Sequence, residues 1–197
     1  MLKKTILLFF LFYTYAVVRY HFGKGLGQEE ILFVLNKAFA WTAGTCFAFT
    51  LLPKKWFPNT VSYRKQFGLL GYGFSLLHIT ANIILINATN YPLLFNANKL
   101  NFHGWQIIIL GILTILCFTM PLIATIQKQP AGNVLYKFGK IGVFASLIHV
   151  SIIGIHGWFS PLDWPYYLPP ITLLFVITTS GIVLFRSILT KQEPLKK

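Results

Sequence analysis

Acidic side chains are rare in this chain, and charged residues of either sign are few. Only four of the 197 residues are Asp or Glu, and charged residues make up 11% of the total, where soluble domains have about a quarter. So few carboxylates argue against catalysis by an acid–base pair. Instead, 55% of the residues are hydrophobic and 17% are aromatic, which indicates an integral membrane protein surrounded by the lipid bilayer.

Cysteine is equally sparse, and no segment has the composition of a soluble domain. Cys46 and Cys117 are the only two cysteines, and both lie within apolar runs without CxxC spacing, so we interpret them as small buried hydrophobes. Apolar segments and short linkers occupy the whole length, so we expect a single domain over residues 1–197. A flavin or substrate domain would then belong to another chain.

Six apolar runs, delimited by charged residues, Pro and Asn, predict an all-α bundle of six transmembrane helices. The predicted spans are residues 5–18, 31–52, 67–86, 104–126, 141–159 and 167–185. The first run resembles a signal peptide, but no small-x-small cleavage site follows it, so we expect a retained first helix. Asn36 and Lys37 interrupt the start of the second run, which leaves open that residues 31–35 lie at the membrane interface.

Lysine and arginine are unevenly divided between the two sides that six spans define. Thirteen of the 17 basic residues fall on the side of the N-terminus, and these are Lys3, Lys4, Lys54, Lys55, Arg64, Lys65, Lys128, Lys137, Lys140, Arg186, Lys191, Lys196 and Lys197. By the positive-inside rule, we expect both termini in the cytoplasm. The net charge of +13 then reflects membrane topology, and nucleic acid is not expected as a partner.

His78 and His149 lie deep within apolar runs, where an imidazole is costly and usually faces the interior of a bundle. Arg64 precedes His78 by fourteen residues, and the border at Tyr136 precedes His149 by thirteen. At the helical rise per residue, both rings lie about 20 Å from this basic border and level with each other. Two level imidazoles on different helices can be the axial ligands of a b-type haem. The alternative is two unrelated core histidines, each hydrogen-bonded to a carbonyl or hydroxyl group.

His156 follows His149 by seven residues, so it lies on about the same face of the helix, some 10 Å nearer the outer surface. It could replace His149 as a ligand, contact a haem propionate, or bind a metal together with His103 and His21. Placement at the membrane interface alone would also explain it.

Arg64 and Tyr136, each followed by lysine, mark the inner border of the third and fifth spans. This border position alone can explain them. They could also bind an anionic group at the cytoplasmic side, such as haem propionates, the phosphate of FMN or a quinone headgroup.

Two of these spans resemble those of a known membrane family. RKQFGLL at 64–70 with SLLH at 75–78 resembles the third span of ferric-reductase-like transmembrane domains, and LYKFG at 135–139 with LIH at 147–149 resembles their fifth. Shorter matches are GLG at 25–27, LLP at 51–53 and GIL at 111–113. The branch that the chain resembles most is the haem-binding membrane subunit of the bacterial periplasmic methionine-sulfoxide reductase system.

The resemblance implies a six-helix subunit of the bacterial inner membrane that carries b haem. It would carry electrons from a cytoplasmic flavin reductase or the quinol pool to a periplasmic reductase subunit. His78 and His149 match the family's outer-haem ligands. Many members have a second histidine one layer inward on each helix, where this chain has Arg64 and Tyr136. We therefore expect one haem b, and a second stays open because a tyrosinate can ligate ferric haem.

Two other functions remain compatible with the sequence. The first is a stand-alone ferric or cupric reductase with an outer metal site at His21, His103 and His156. The second, from another class, is a haem-free membrane scaffold or transporter component. No catalytic residue is predicted, so enzymatic activity of the chain itself is left open.

Overall fold

The computed structural model describes residues 2–22, 31–52, 58–130 and 133–191, with the side chains of 58–62 and 189–191 left undescribed. Six α-helices account for most of these residues: α1 (Leu2–Ala16), α2 (Ile31–Thr50), α3 (Pro58–Leu85), α4 (Phe102–Ile126), α5 (Phe138–Trp158) and α6 (Ile171–Lys191). Within these described ranges, six helical segments are long and apolar enough to cross a membrane. The predicted all-α, six-span architecture is therefore confirmed.

The helix ends differ from the predicted spans where polar residues continue a helix. A π-helical turn, Val17–Phe22, extends α1 beyond the predicted end at residue 18. The third helix, α3, begins at Pro58 rather than at residue 67, because the polar residues before the apolar run are also helical. Residues 31–35 belong to α2 itself.

Hydrogen bonds between helix ends define an antiparallel bundle. The hydroxyl group of Tyr15, in α1, donates to the carbonyl oxygen of Pro169 just before α6, at 2.6 Å. The indole Nε1 of Trp158, at the end of α5, donates to the hydroxyl group of Thr172 at 2.9 Å. We call this the far end of the bundle. The start of α1 and the end of α6 lie at the opposite end, the terminal end.

Helix α2 is the most buried helix of the bundle and packs against α1, α3 and α6. All residues from 41 to 48 are buried. The backbones approach closely at Gly71 of α3, where a Cβ atom would lie only 3.2 Å from the carbonyl oxygen of Ala43. A small residue at this position lets α3 lie directly on α2.

The inner helices are arranged as two hairpins. Helix α2 pairs extensively with α3, and α4 with α5, whereas α3 and α4, like α2 and α5, have few contacts with each other. Gly142 supports the second pairing, because a Cβ atom there would lie 2.8 Å from the ring of Phe118 in α4. The sparse contact between hairpins leaves space at the centre of the bundle.

The far end contains the connections after α3 and α5. A two-stranded hairpin, Phe95–Asn96 with Lys99–Leu100, precedes α4, and Asn101 caps this helix by accepting a hydrogen bond from the Gly104 amide at 2.9 Å. The connection after α5 is aromatic, with Tyr166 and Tyr167 exposed. Exposed tyrosines beside an apolar span are typical of the membrane interface.

Candidate cofactor cavity between the central histidines

A cavity of about 610 Å³ lies between the two helix hairpins, and it opens at the bundle surface beside the exposed side chains of Ile83 and Ile112. Residues from α2, α3, α4 and α5 line it, together with Phe175 of α6 and the connection after α3. Its volume is in the range of small-molecule and cofactor sites, and its lining is mostly apolar with a few polar groups. The cavity is therefore suited to an apolar ligand with a small number of fixed polar contacts.

Both central histidines line this cavity, His78 from α3 and His149 from α5. His78 lies seven residues before the end of its helix at Leu85, and His149 lies nine residues before Trp158. Both rings are thus nearer the far end of the bundle than the terminal end. The structure brings together the two residues that the sequence singled out.

The ring of His149 is oriented by the backbone of α4. Its Nδ1 atom lies 3.0 Å from the carbonyl oxygen of Ile107. A carbonyl oxygen only accepts, so Nδ1 must carry the proton, and Nε2 of the neutral ring has a free lone pair. Within the described part of the chain, this ring makes no other hydrogen bond.

Gly111 lets this ring lie against α4. A Cβ atom at Gly111 would be 3.3 Å from Cε1 of His149 and 3.9 Å from Nε2. The contact is tight even for a methyl group, so the ring would have to shift by a few tenths of an ångström. The sequence marked Gly111 only as part of a short motif, and this packing role was not predicted.

The ring of His78 is oriented by a side chain of α2. Its Nδ1 atom lies 2.5 Å from Oδ1 of Asn36. The amide group of Asn36 is itself fixed, because its Nδ2 donates to Oδ1 of Asn82 at 2.9 Å. The amide oxygen therefore faces the imidazole, and Nδ1 of His78 carries the proton.

The amide nitrogen of Asn82 does not occupy the remaining lone pair of His78. It lies 3.0 Å from Nε2 and 3.3 Å from Nδ1. The in-plane lone pairs of the two ring nitrogens point in different directions. An atom on the lone-pair axis of one nitrogen would therefore lie much farther from the other nitrogen than from the first. The amide group therefore lies over the ring or beside Cε1, and Nε2 keeps its in-plane direction available.

Tyr91 and Lys37 extend this polar cluster toward the far end. The hydroxyl group of Tyr91 donates to Oδ1 of Asn82 at 3.2 Å. Burial raises the pKa of Tyr91 to about 12, only partly opposed by its hydrogen bond with Asn36, so the hydroxyl group stays protonated. Nζ of Lys37 lies 4.7 Å from the ring centre of Phe33 and 5.6 Å from that of Tyr91.

Arg64 and Tyr136 lie elsewhere in the bundle, and neither lines the cavity. The guanidinium group of Arg64 donates to the carbonyl oxygen of Leu52, at the junction of α2 and α3, and its buried Nε has no hydrogen-bond partner. Tyr136 lies in a short 3₁₀ turn, Val134–Lys137, and donates to the carbonyl oxygen of Gln129 at 3.4 Å. The two predicted inner-site residues thus bond to loop and helix-end carbonyls.

The outer histidines are only partly brought together. His103 lines the cavity, and its ring centre lies 6.1 Å from that of His156, which does not line it. His21 packs its ring against Phe22. Among the residues that the structure describes, no three His, Cys, Asp or Glu side chains are grouped to hold a metal ion. The three-histidine site left open by the sequence is not assembled there.

The donors of the cavity fit a b-type haem. Each histidine has an oxygen acceptor on Nδ1 and an available Nε2, the arrangement in which a second partner fixes the tautomer of a metal ligand. Imidazole nitrogen is an ordinary axial ligand of haem iron. The apolar lining between them suits a flat, hydrophobic macrocycle.

These features define a class: a six-helix membrane protein with a histidine-lined cavity between its helix hairpins. No protein-family model matches the chain, and no curated protein is significantly similar to it. The resemblance to ferric-reductase-like domains therefore depends on the short motifs of the sequence alone.

Proposed function

We propose that this chain is a b-haem membrane subunit that carries electrons across the bilayer. The electrons would come from a flavin or quinol donor on the cytoplasmic side and pass to a periplasmic acceptor, such as a methionine-sulfoxide reductase catalytic subunit. The observation that carries the proposal is the pair of oriented imidazoles, His78 and His149, at one cavity between two helix hairpins.

The residues around the cavity have distinct roles in this proposal. His78 and His149 would hold the iron through Nε2, and Asn36 and the carbonyl group of Ile107 would keep the rings in the required tautomer. The mostly apolar lining would limit contact between the cofactor and water. A haem held by these two residues would supply a one-electron redox centre, which suits electron transfer.

The proposed direction of transfer follows from the charge distribution. Thirteen of the 17 basic residues lie on the side of the N-terminus, which supports a cytoplasmic terminal end. Both histidines are then nearer the periplasmic side. The basic residues beside Arg64 and Tyr136 would face the donor, where fixed positive charge attracts an anionic flavin phosphate or a quinone headgroup.

The test is the absorption spectrum of the purified chain in detergent. We expect a Soret band that shifts on reduction with dithionite, and loss of that band in His78→Ala and in His149→Ala, because each change removes one axial nitrogen. His156→Ala is the matched control and should keep the haem, since His156 does not line the cavity.

A wild-type chain without a reducible Soret band, even after expression with added haem, would favour the haem-free scaffold or transporter. If His156→Ala loses the haem and His149→Ala keeps it, the ligand on α5 is His156 instead.

A further inference from the structure

We propose that Lys37 forms a carboxylate-binding subsite at the far end of the cavity and that it holds the haem propionates there. This inference depends on the proposed function and adds the orientation of the haem within the cavity. The propionates of a b haem occupy one edge of the ring, and ligation by His78 and His149 alone leaves open which way this edge points.

Lys37 occupies the same cavity as the two histidines. It directly follows Asn36, whose amide oxygen lies against Nδ1 of His78. Among the described residues that line the cavity, it is the only lysine or arginine. A fixed cation beside low-dielectric walls attracts an anion to its own end of a cavity.

The side chain of Lys37 extends toward the far end. Its Nζ atom lies 4.7 Å from the ring centre of Phe33, which is one turn nearer the start of α2. It also lies 5.6 Å from the ring centre of Tyr91, in the connection after α3. Both aromatic rings attract the ammonium group through cation–π interactions. They hold it nearer the far end of the bundle than Asn36 is.

The position of Lys37 therefore favours the far end of the cavity as the site of the propionates. Carboxylates near the ammonium group gain a charge-assisted hydrogen bond in surroundings of low polarity. At the far end they would also lie near the connection after α3 and near His103, which line the same cavity. The hydrophobic edge of the macrocycle would then face the apolar centre of the bundle.

The experiment compares haem b with its dimethyl ester, in which both carboxylates are capped and uncharged. The full-length chain, produced without haem, is titrated with each compound in detergent while the Soret band is followed. We expect the wild-type chain to bind haem b about tenfold or more tightly than the ester, the size of one charge-assisted hydrogen bond. In Lys37→Met this preference should fall to near one, with ester affinity unchanged.

Two further variants serve as controls. Lys99→Met removes an exposed lysine at the same end of the bundle that does not line the cavity, and it should keep the preference for haem b. Lys37→Arg keeps the positive charge and should also keep the preference for haem b. Ester binding by Lys37→Met reports that the cavity is intact.

A Lys37→Met chain that retains the full preference for haem b would overturn the inference, as would equal binding of both compounds by the wild type. In either case the proposed haem function would still stand. A wild-type chain that binds neither compound would overturn both.

Discussion

The two central histidines are oriented by oxygen atoms of different kinds. The acceptor for His149 is a backbone carbonyl group, which no substitution removes, whereas the acceptor for His78 is the side chain of Asn36. A substitution can therefore remove the acceptor that orients His78, whereas none removes the acceptor that orients His149. Only at His78 can a single substitution alter the electron donation of the imidazole while leaving the ligand itself in place.

Asn36→Asp should lower the midpoint potential of the haem by about 60 mV or more. A carboxylate acceptor makes the imidazole a stronger donor and favours ferric iron, and a tenfold preference corresponds to about 59 mV for one electron. Asn36→Leu should weaken haem retention, because burying the unpaired N–H group of His78 costs about 1–3 kcal/mol. The measurement is a potentiometric titration of the Soret band.

Asn96→Asp is the matched control for this experiment, because it adds the same charge at an exposed position of the far-end hairpin. Its potential should stay close to that of the wild type. An Asn36→Asp variant with an unchanged or raised potential would contradict the role assigned to Asn36.

At the scale of helices, the sequence was sufficient to predict the six spans and to single out two histidines that line one cavity. Long apolar runs determine the spans, and a histidine within such a run usually faces the interior of a bundle. It did not predict the partners of those histidines. Asn36 and His78 are 42 residues apart, and their contact depends on how α2 packs against α3. The interruption of the second run by Asn36 and Lys37 was the available signal, and it was used only to leave open an interfacial placement of residues 31–35.

Helix packing also favours a small residue at position 111, because an added Cβ atom would lie 3.3 Å from the ring of His149. We expect Gly111→Leu to displace the ring of His149 and weaken haem binding by about 1–3 kcal/mol, the usual cost of overpacking. The matched control is Gly73→Leu, on α3, where nothing lies within 4 Å of an added Cβ atom. Haem content per chain and helical circular dichroism are measured for both.

Equal haem loss in both glycine variants would indicate a general effect of leucine on the bundle. Loss confined to Gly111→Leu, with helicity retained, would support the contact between α4 and the imidazole ring.

At the scale of the whole molecule, the two ends of the bundle differ in the chemistry they offer. The far end has the cavity and both histidines, while Arg64 and Tyr136 at the terminal end bond to backbone carbonyl groups. We expect one haem per chain with a single midpoint potential. Arg64→Ala and Tyr136→Phe should leave this stoichiometry unchanged, as measured by pyridine haemochrome assay against protein concentration.

Two haems per chain, reduced to one in either of these variants, would show that the terminal end is also occupied. The electron path would then be a relay between two haems.

The separation of the inner helices into two hairpins has a consequence for the assembly of the bundle. The α2–α3 hairpin carries His78, the α4–α5 hairpin carries His149, and few direct contacts join α3 to α4 or α2 to α5. A ligand bonded to both imidazoles would therefore add a link between the two hairpins, which α6 also joins by packing against α2 and α5. By mass action, it stabilises their association in proportion to the logarithm of its free concentration over its dissociation constant. The supply of cofactor in the cell would then set how long the closed bundle resists proteolysis.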